Sequence, residues 1–518
     1  MRDEVETIES ASRLRRLIPF TLLFLIQLSF FSLLAVRRLI DSDEGFYLYI
    51  SKIVFSEGAI PYRDVFYQQM PLLPYLYGCW MRLFGYTWEA GRIFSALLSA
   101  ATGALLVWAV EKTTSSRLLA VAAFLLYTLN LSVLLFFLTA KTYALSTSLL
   151  FSSIILLGEY KGKYRFGAAG FLLALSVQTR LFFLAAAPAL LFFLWKQIDR
   201  RRLAAFRDFS TGFVLGLIPS LILLCLAPRQ FLFDNVTYHA LRDPAGFVGD
   251  LPQKFEVVRK LVFSPGTFRP TQLSLLFAAF PVAIIAWKRM SDSGKLAAAA
   301  AALLGIASLL PTPTFGQYFC VLVPFLALSL LQAIHAYSRP LPAAMRKIIC
   351  ASIALIALLA ATAAAPRVHS LFFKGRNVPG IPDGSDPNDW SIATANKIAA
   401  IVESSSEGSP VVSSWPGYLL SADRTIYPKM ENQISIGVSE DIPPETADAL
   451  KLLRKDDLRR AIADPRVQVV VAGNCMHWWQ SIYLEAVAQN GYDLLTKEAN
   501  ALIYIRPRRD SPTGGGAG

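Results

Sequence analysis

Long stretches with no charge at all constrain this chain more than any other feature. No Asp, Glu, Lys or Arg occurs in 17–36, 93–110, 118–140, 142–158, 166–179, 181–195, 209–228, 270–287, 296–338 or 348–366. The hydrocarbon core of a bilayer takes about 20 mostly apolar residues per helix, and a helix satisfies its own backbone polar groups there. Most of these windows fit one crossing. The window 296–338 fits two, with Pro311, Pro313 and Gly316 marking the turn between them. Windows 166–179 and 181–195 are short and share Arg180. The count is about eleven transmembrane helices. A soluble body of 518 residues is excluded by the same pattern, because 54% of the residues are apolar and only 17% are charged. An ordinary soluble domain carries roughly 25% charged residues.

The formal net charge is +13. In a soluble protein that excess would raise the question of nucleic acid. Here it has a simpler use, since basic residues hold loops on the cytoplasmic side. With the N-terminal segment 1–16 inside, the inner loops carry Arg13, Arg15 and Arg16; Lys161, Lys163 and Arg165; Lys196, Arg200, Arg201, Arg202 and Arg207; Lys288, Arg289 and Lys295; and Arg339, Arg346 and Lys347. Span count and orientation therefore support each other, and no nucleic acid partner is implied. Merging 166–195 into one helix would move the Arg200–Arg202 cluster outside, so two short spans are expected there. An odd count puts the C-terminus outside the cytoplasm. The expected organisation is a membrane domain over 17–366, with outer loops 37–92 and 229–269, then an extracytoplasmic α/β domain over 367–510 and a flexible tail over 511–518.

The α/β expectation rests on three apolar runs and three helical patterns. Residues 408–414, 467–472 and 501–505 read as strands. Residues 392–403, 457–462 and 479–488 read as helices. In the first outer loop, Phe46, Tyr49, Ile50, Ile53 and Val54, then Leu72, Leu73, Leu76, Trp80 and Leu83, recur at helical spacing. Their aromatic content suits helices lying in the membrane interface. The five cysteines are scattered and have no metal-ligand spacing. Cys79 and Cys475 would both be outside, but nothing in their spacing demands a bridge.

The spans are nearly bare of ionisable groups, whereas a transporter usually places such groups within them. Chemistry is therefore sought at their outer ends. The densest feature is Asp41-Ser42-Asp43-Glu44, directly after Arg37 and Arg38. A carboxylate there can act as a general base, taking a proton from an attacking hydroxyl. Asp41 and Asp43 also resemble a metal-binding pair, although two acids are few ligands for one ion. The competing structural use is a helix cap, with Ser42 or Asp43 capping a helix that starts near Gly45. Arg37 and Arg38 read as headgroup anchors.

Three runs of the first outer loop carry a resemblance: Asp43-Glu44-Gly45-Phe46-Tyr47-Leu48-Tyr49-Ile50, Gly58-Ala59-Ile60-Pro61-Tyr62-Arg63-Asp64, and Gln68-Gln69-Met70-Pro71-Leu72-Leu73. They resemble the first outer loop of the GT-C glycosyltransferases, in the branch of protein O-mannosyltransferases, lipid A aminoarabinose transferases and bacterial lipopolysaccharide-core glycosyltransferases. The resemblance is strongest over 37–100 and looser to about 340. It implies a sugar donor linked to polyprenyl phosphate and an acceptor outside the cytoplasm. It further implies Asp43 as catalytic base with Glu44 as paired acid, and Tyr47 beside them. Arg180 at an outer helix end would meet the donor phosphate, and Tyr318, which precedes Pro324, corresponds to a tyrosine of a late span.

Two departures bear on the site. The aminoarabinose branch has a Lys where this chain has Gln69, so that phosphate contact falls to Arg63, Lys52 or Arg180. Relatives often carry a second acid between spans three and four, where this chain has Lys141. A protonated Lys cannot share a metal with Asp43, so metal-independent chemistry without a cofactor is expected, with Lys141 free to neutralise a leaving phosphate. The alternatives to a membrane transferase are a flippase of lipid-linked sugars and a non-catalytic membrane scaffold. Broken spans with buried charge would favour the first.

Overall fold

The computed structural model describes residues 2–197, 202–242, 246–263, 271–370, 381 and 385–507. The tail 511–518 and Arg200 and Arg201 of the inner basic cluster lie outside them. Every charge-free window is occupied by helix. The first eight windows hold α1 (Arg2–Arg37), α4 (Trp88–Thr114), α5 (Arg117–Thr128) with α6 (Leu131–Phe136), α7 (Thr142–Glu159), α8 (Arg165–Thr179), α9 (Ala187–Gln197) behind a 3-10 turn, α10 (Arg202–Leu226), and Thr271–Phe277 with Ala279–Ala286. Window 296–338 holds two helices, Asp292–Ala307 and Val323–Ser338, and the last holds Ala343–His369. Among the described residues six helices are long and apolar enough to cross a membrane unbroken.

The departures from single rods have local causes. Window 118–140 breaks at Asn130, whose side chain accepts the Ser132 N–H at 3.0 Å and starts α6 afresh. The two short windows stay separate because Arg180 adopts an extended conformation (φ −157°, ψ 117°) and ends α8. Helix α8 then lies tightly on α10. A Cβ at Gly170 or Gly212 would overlap backbone of the other helix. Gly212 and Gly216 form the small-x3-small spacing that lets membrane helices approach closely.

The first outer loop forms α2 (Glu44–Ser56) and α3 (Leu72–Phe84), as the periodicity predicts. Helix α2 is not laid open on the interface, however. Residues 44–53 are all buried, because the C-terminal elements cover it. The Trp415 indole stacks on Trp88 at 5.5 Å and donates to the Ser42 carbonyl at 2.9 Å. Tyr49 Oη accepts the Ile426 N–H at 2.8 Å, and Lys52 Nζ donates to the carbonyls of Leu419 and Ala422. One contiguous apolar core runs from Phe31 in α1 to Ile503 near the end of the chain.

The C-terminal sheet has the order β1-β2-β4-β3, from β1 (Val411–Ser413), β2 (Val469–Ala472), β3 (Asp493–Glu498) and β4 (Ala501–Ile505). Strands β1 and β2 pair in parallel, and the other two pairings are antiparallel. Three of the four strands and the three helices fall where the sequence puts them. Strand β3 escapes sequence reading because it is a solvent-facing edge with Asp493, Lys497 and Glu498, a composition that protects edges but carries no apolar signal. All five cysteines are free, with Cys475 buried and Cys79 exposed.

Gly45 shows how closely the two parts fit. A Cβ there would overlap the Trp415 indole. Gly45→Ala is expected to lower stability by about 1–3 kcal/mol, the usual cost of overpacking. Thermal unfolding in detergent checks this, and an unchanged midpoint would mean that the indole seat is slack.

Candidate active site

The site is assembled at the junction of α1, α2, α4 and α7. The chain leaves α1, and Asp41 Oδ1 accepts the Asp43 N–H at 3.0 Å, an Asx turn that starts α2. Asp43 sits at the N-cap position, yet its side chain makes no capping bond. Asp43 therefore does not cap the helix through its side chain, and its carboxylate is turned toward Lys141 instead.

Glu44 is locked. Arg92, at the start of the second turn of α4, donates from Nε to Glu44 Oε2 at 2.9 Å and from Nη2 to Oε1 at 2.6 Å. Its remaining N–H groups reach the carbonyls of Ala35, Arg38 and Leu39 at 2.8–2.9 Å. Glu44 also accepts the backbone N–H of Asp41 at 2.9 Å and of Ala140 at 3.0 Å. Both side chains of this ion pair are fully buried. Burial alone would push the Glu44 carboxyl up, but Arg92, Arg38 and the Ala140 N–H together hold the group below the usual range. The pair thus ties the end of α1, the start of α2, the start of α4 and the loop before α7 into one joint. Arg38 belongs to the same joint and is no headgroup anchor. It is buried and donates to the carbonyls of Leu134 and Leu135 at 3.2 and 2.6 Å.

Lys141, the residue before α7, reaches into the Asp41–Asp43 turn. Its Nζ lies 2.7 Å from Asp41 Oδ1 and 2.9 Å from Asp43 Oδ2. Burial disfavours its charge, yet the two aspartates outweigh that and raise its pKa well above the ordinary lysine value. The three side chains differ in access: Lys141 is 4% exposed and Asp41 3%, while Asp43 is 35% exposed. Asp43 is the acid of this cluster that a substrate can reach. Tyr47, one turn along α2, is buried within electrostatic reach of Asp43, Lys141 and Arg180.

Arg180 is linked to this turn through Tyr47, which feels the charges of both Asp43 and Arg180. Its guanidinium lies over three rings, Tyr143 at 4.7 Å, Phe182 at 4.8 Å and Tyr318 at 5.0 Å, and Nη1 donates to Thr142 Oγ1 at 3.3 Å. Cations over aromatic faces are held without losing their charge. Tyr318 connects Arg180 to Arg242, which hydrogen-bonds Tyr318 and feels the charge of Asp43. His239 closes the wall with Nε2 donating to the Gln68 carbonyl at 3.0 Å. Burial first and Arg242 second push its pKa down to about 4, so the ring is neutral.

Asp43, Tyr47, Lys141, Arg180 and Tyr318 are thus brought together, although the sequence separates them by up to 275 positions. Two other candidates, Lys52 and Arg63, are engaged elsewhere, and Gln69 is tied down through its backbone. Lys52 ties α2 to the C-terminal elements. Arg63 pairs with Asp64 at 2.8 Å in an exposed loop. The Gln69 carbonyl accepts Tyr62 Oη at 2.7 Å. Sequence reasoning missed Arg92 and Arg242. Arg92 had one signal, as a lone charge flanking a charge-free window; Arg242 lay unmarked among the basic residues of the second outer loop. Among the described residues, no group of three or more His, Cys, Asp or Glu side chains is arranged to hold a metal ion.

No family model and no curated protein sequence matches this chain. Solved structures do. ArnT from Cupriavidus metallidurans bound to undecaprenyl phosphate superposes with a TM-score of 0.58 at 13% identity, covering 94% of this chain and 97% of that one. Its apo state gives 0.59 at 14% identity, covering 95% and 98%. The Archaeoglobus fulgidus oligosaccharyltransferase in the apo form gives 0.50 at 15% identity, covering 95% of this chain and 75% of that one. The likeness runs over almost the whole length of this chain, membrane helices and C-terminal sheet alike, and the chain has the fold of the GT-C glycosyltransferases.

Proposed function

We propose that this chain is an integral-membrane glycosyltransferase that moves one sugar from a polyprenyl-phosphate donor to an acceptor outside the cytoplasm, with Asp43 as general base. One observation carries the reading: Asp43 is an accessible carboxylate whose side chain does not cap α2, and Tyr318 joins the guanidinium of Arg180, which lies over its ring, to that of Arg242, which feels the charge of Asp43. The fold supports the reaction class, and ArnT, a protein of that fold, binds undecaprenyl phosphate in its crystal structure.

In this reaction the acceptor hydroxyl attacks the anomeric carbon while Asp43 takes its proton. The bond from that carbon to the phosphate oxygen breaks, and the electron pair leaves with the lipid phosphate. Arg180 and Arg242 offset the charge that develops there, a task for fixed donors aimed at the leaving oxygen. Tyr47 and Tyr318 wall the sugar pocket. Lys141 has its ammonium committed to Asp41 and Asp43 and is not a phosphate ligand. The C-terminal α/β unit covers the acceptor side, on the outer face of the cell membrane, with the N-terminus in the cytoplasm.

Vesicles carrying the purified protein and labelled polyprenyl-phosphate sugars test the reading. A transferase cleaves the sugar–phosphate bond only when acceptor is supplied outside. A flippase moves the label across the bilayer with the bond intact, and that outcome would overturn the proposal. Arg180→Ala is expected to reduce transfer by about 10- to 100-fold, the scale of one lost charge-assisted hydrogen bond. Steady-state rates over a donor titration check this, and an unchanged rate would remove Arg180 from the phosphate site.

A further inference from the structure

The Asp41–Lys141–Asp43 cluster has the geometry of a cation site whose cation is part of the chain. Two carboxylate oxygens from residues two apart converge on one point, and the Lys141 ammonium occupies that point at 2.7 and 2.9 Å. Left without a cation, two carboxylates this close repel, and one of them takes up a proton. A protonated Asp43 could not act as a base. A divalent ion would solve the same problem, but it needs several oxygen ligands. Here the position is filled, and the nearest third carboxylate, Glu44, is held by Arg92. Burial pushes the Asp41 carboxyl above its usual range, and the Lys141 ammonium is the largest influence opposing that.

The ammonium is anchored through its own backbone. Lys141 is buried, and its backbone N–H is tied to the Thr139 carbonyl at 2.8 Å at the start of α7. It contacts one oxygen of Asp43, so the carboxylate is oriented while its exposed part stays open to the acceptor. Lysine differs from a metal ion in two ways that matter. It cannot dissociate, and it carries one charge instead of two.

We propose that Lys141 is a resident counter-cation that positions Asp43, standing where a divalent ion would otherwise bridge Asp41 and Asp43, so that transfer proceeds without added metal. The proposal rests on Asp43 being the base. Lys141 is a positioning residue in this scheme and touches neither sugar nor phosphate.

The test compares wild type with Lys141→Met, which keeps the length and removes the charge, and with Lys141→Arg. Transfer is measured in EDTA, then with Mn²⁺ or methylammonium added. Mn²⁺ binding to the purified protein is measured separately by calorimetry. Wild type is expected to be insensitive to EDTA. Lys141→Met is expected to lose about 100-fold in EDTA, the scale of a misaligned catalytic group, and to regain about tenfold or more with Mn²⁺ or methylammonium. Lys141→Arg is expected to stay within about tenfold of wild type in EDTA. Mn²⁺ is expected to bind Lys141→Met at one site that is absent from wild type and is lost again in Lys141→Met/Asp41→Asn. Silencing of wild type by EDTA overturns the proposal, as does wild-type transfer by Lys141→Met in EDTA. Folded Lys141→Met that neither binds Mn²⁺ nor responds to methylammonium overturns it too. If Lys141→Met does not fold, wild type and Lys141→Arg decide: insensitivity of both to EDTA supports the proposal, and silencing of either overturns it. Wild type that transfers nothing from any donor contradicts the base assignment instead, while Mn²⁺ uptake confined to Lys141→Met still supports the placement of the cation.

Discussion

Asp43→Asn is expected to cut sugar transfer by about 10²–10⁴-fold, the usual contribution of a positioned general base, while the protein still inserts, folds and binds donor. The substitution keeps the shape of the side chain and its hydrogen bond to Lys141. It removes only the ability to accept a proton. No neighbouring acid can take over. Glu44 is fully buried and committed to Arg92 and two backbone N–H groups, and Asp41 is 3% exposed behind Lys141. Donor binding distinguishes the two ways the variant could fail. An unchanged affinity with lost turnover fits a base, whereas lost affinity would mean that Asp43 holds the substrate instead. Asp43→Asn with wild-type turnover would contradict the assignment outright.

The second large effect is on folding. Arg92→Met leaves the Glu44 carboxylate buried without its partner and strips three backbone carbonyls of their donors. Breaking a buried ion pair from one side costs about 3–5 kcal/mol, against a total stability of about 5–15 kcal/mol. Arg92→Met and Glu44→Ala are therefore each expected to lower the unfolding midpoint sharply and to reduce the yield of folded protein. The double variant is expected to be better than the sum of the two, because no uncompensated charge is left inside. It should not recover fully, since the carbonyls of Ala35, Arg38 and Leu39 still lose their donors. A Glu44→Ala protein that keeps its stability and loses only transfer would make Glu44 a partner in the chemistry and not part of the joint.

Much of this architecture is legible because a bilayer imposes simple rules. Charge-free windows locate the helices, and Arg180 marks a real break, where the backbone turns extended and the guanidinium settles over three aromatic rings. Asp43 stands out as a charge just past such a window. What is not legible depends on contacts between distant residues. Arg92 and Glu44 are 48 positions apart, and each looks like an ordinary helix-end charge until the fold joins them. Lys141 shows the same limit: its residue type identifies it as a cation, but only the convergence of Asp41 and Asp43 reveals what it neutralises. Arg242 reaches the site from the second outer loop, where neither its residue type nor its spacing sets it apart. Helix α2 reads as interfacial because its apolar face is plain, while the Trp415 indole that covers it lies 370 positions further on from Gly45. Strand β3 is hidden for the opposite reason, being too exposed to need an apolar pattern.

The central claim is sugar transfer from a lipid phosphate at Asp43, and product analysis tests it most directly. Purified wild type and Asp43→Asn would be given a panel of sugar-labelled polyprenyl phosphates together with acceptors from the native envelope. Lipid phosphate and glycosylated product would then be quantified by mass spectrometry. The account predicts that wild type discharges at least one donor, forms equal amounts of both products, and does so without added metal, while Asp43→Asn stays near background. Folded wild type that discharges no donor in the panel, or Asp43→Asn that discharges one at the wild-type rate, would contradict it.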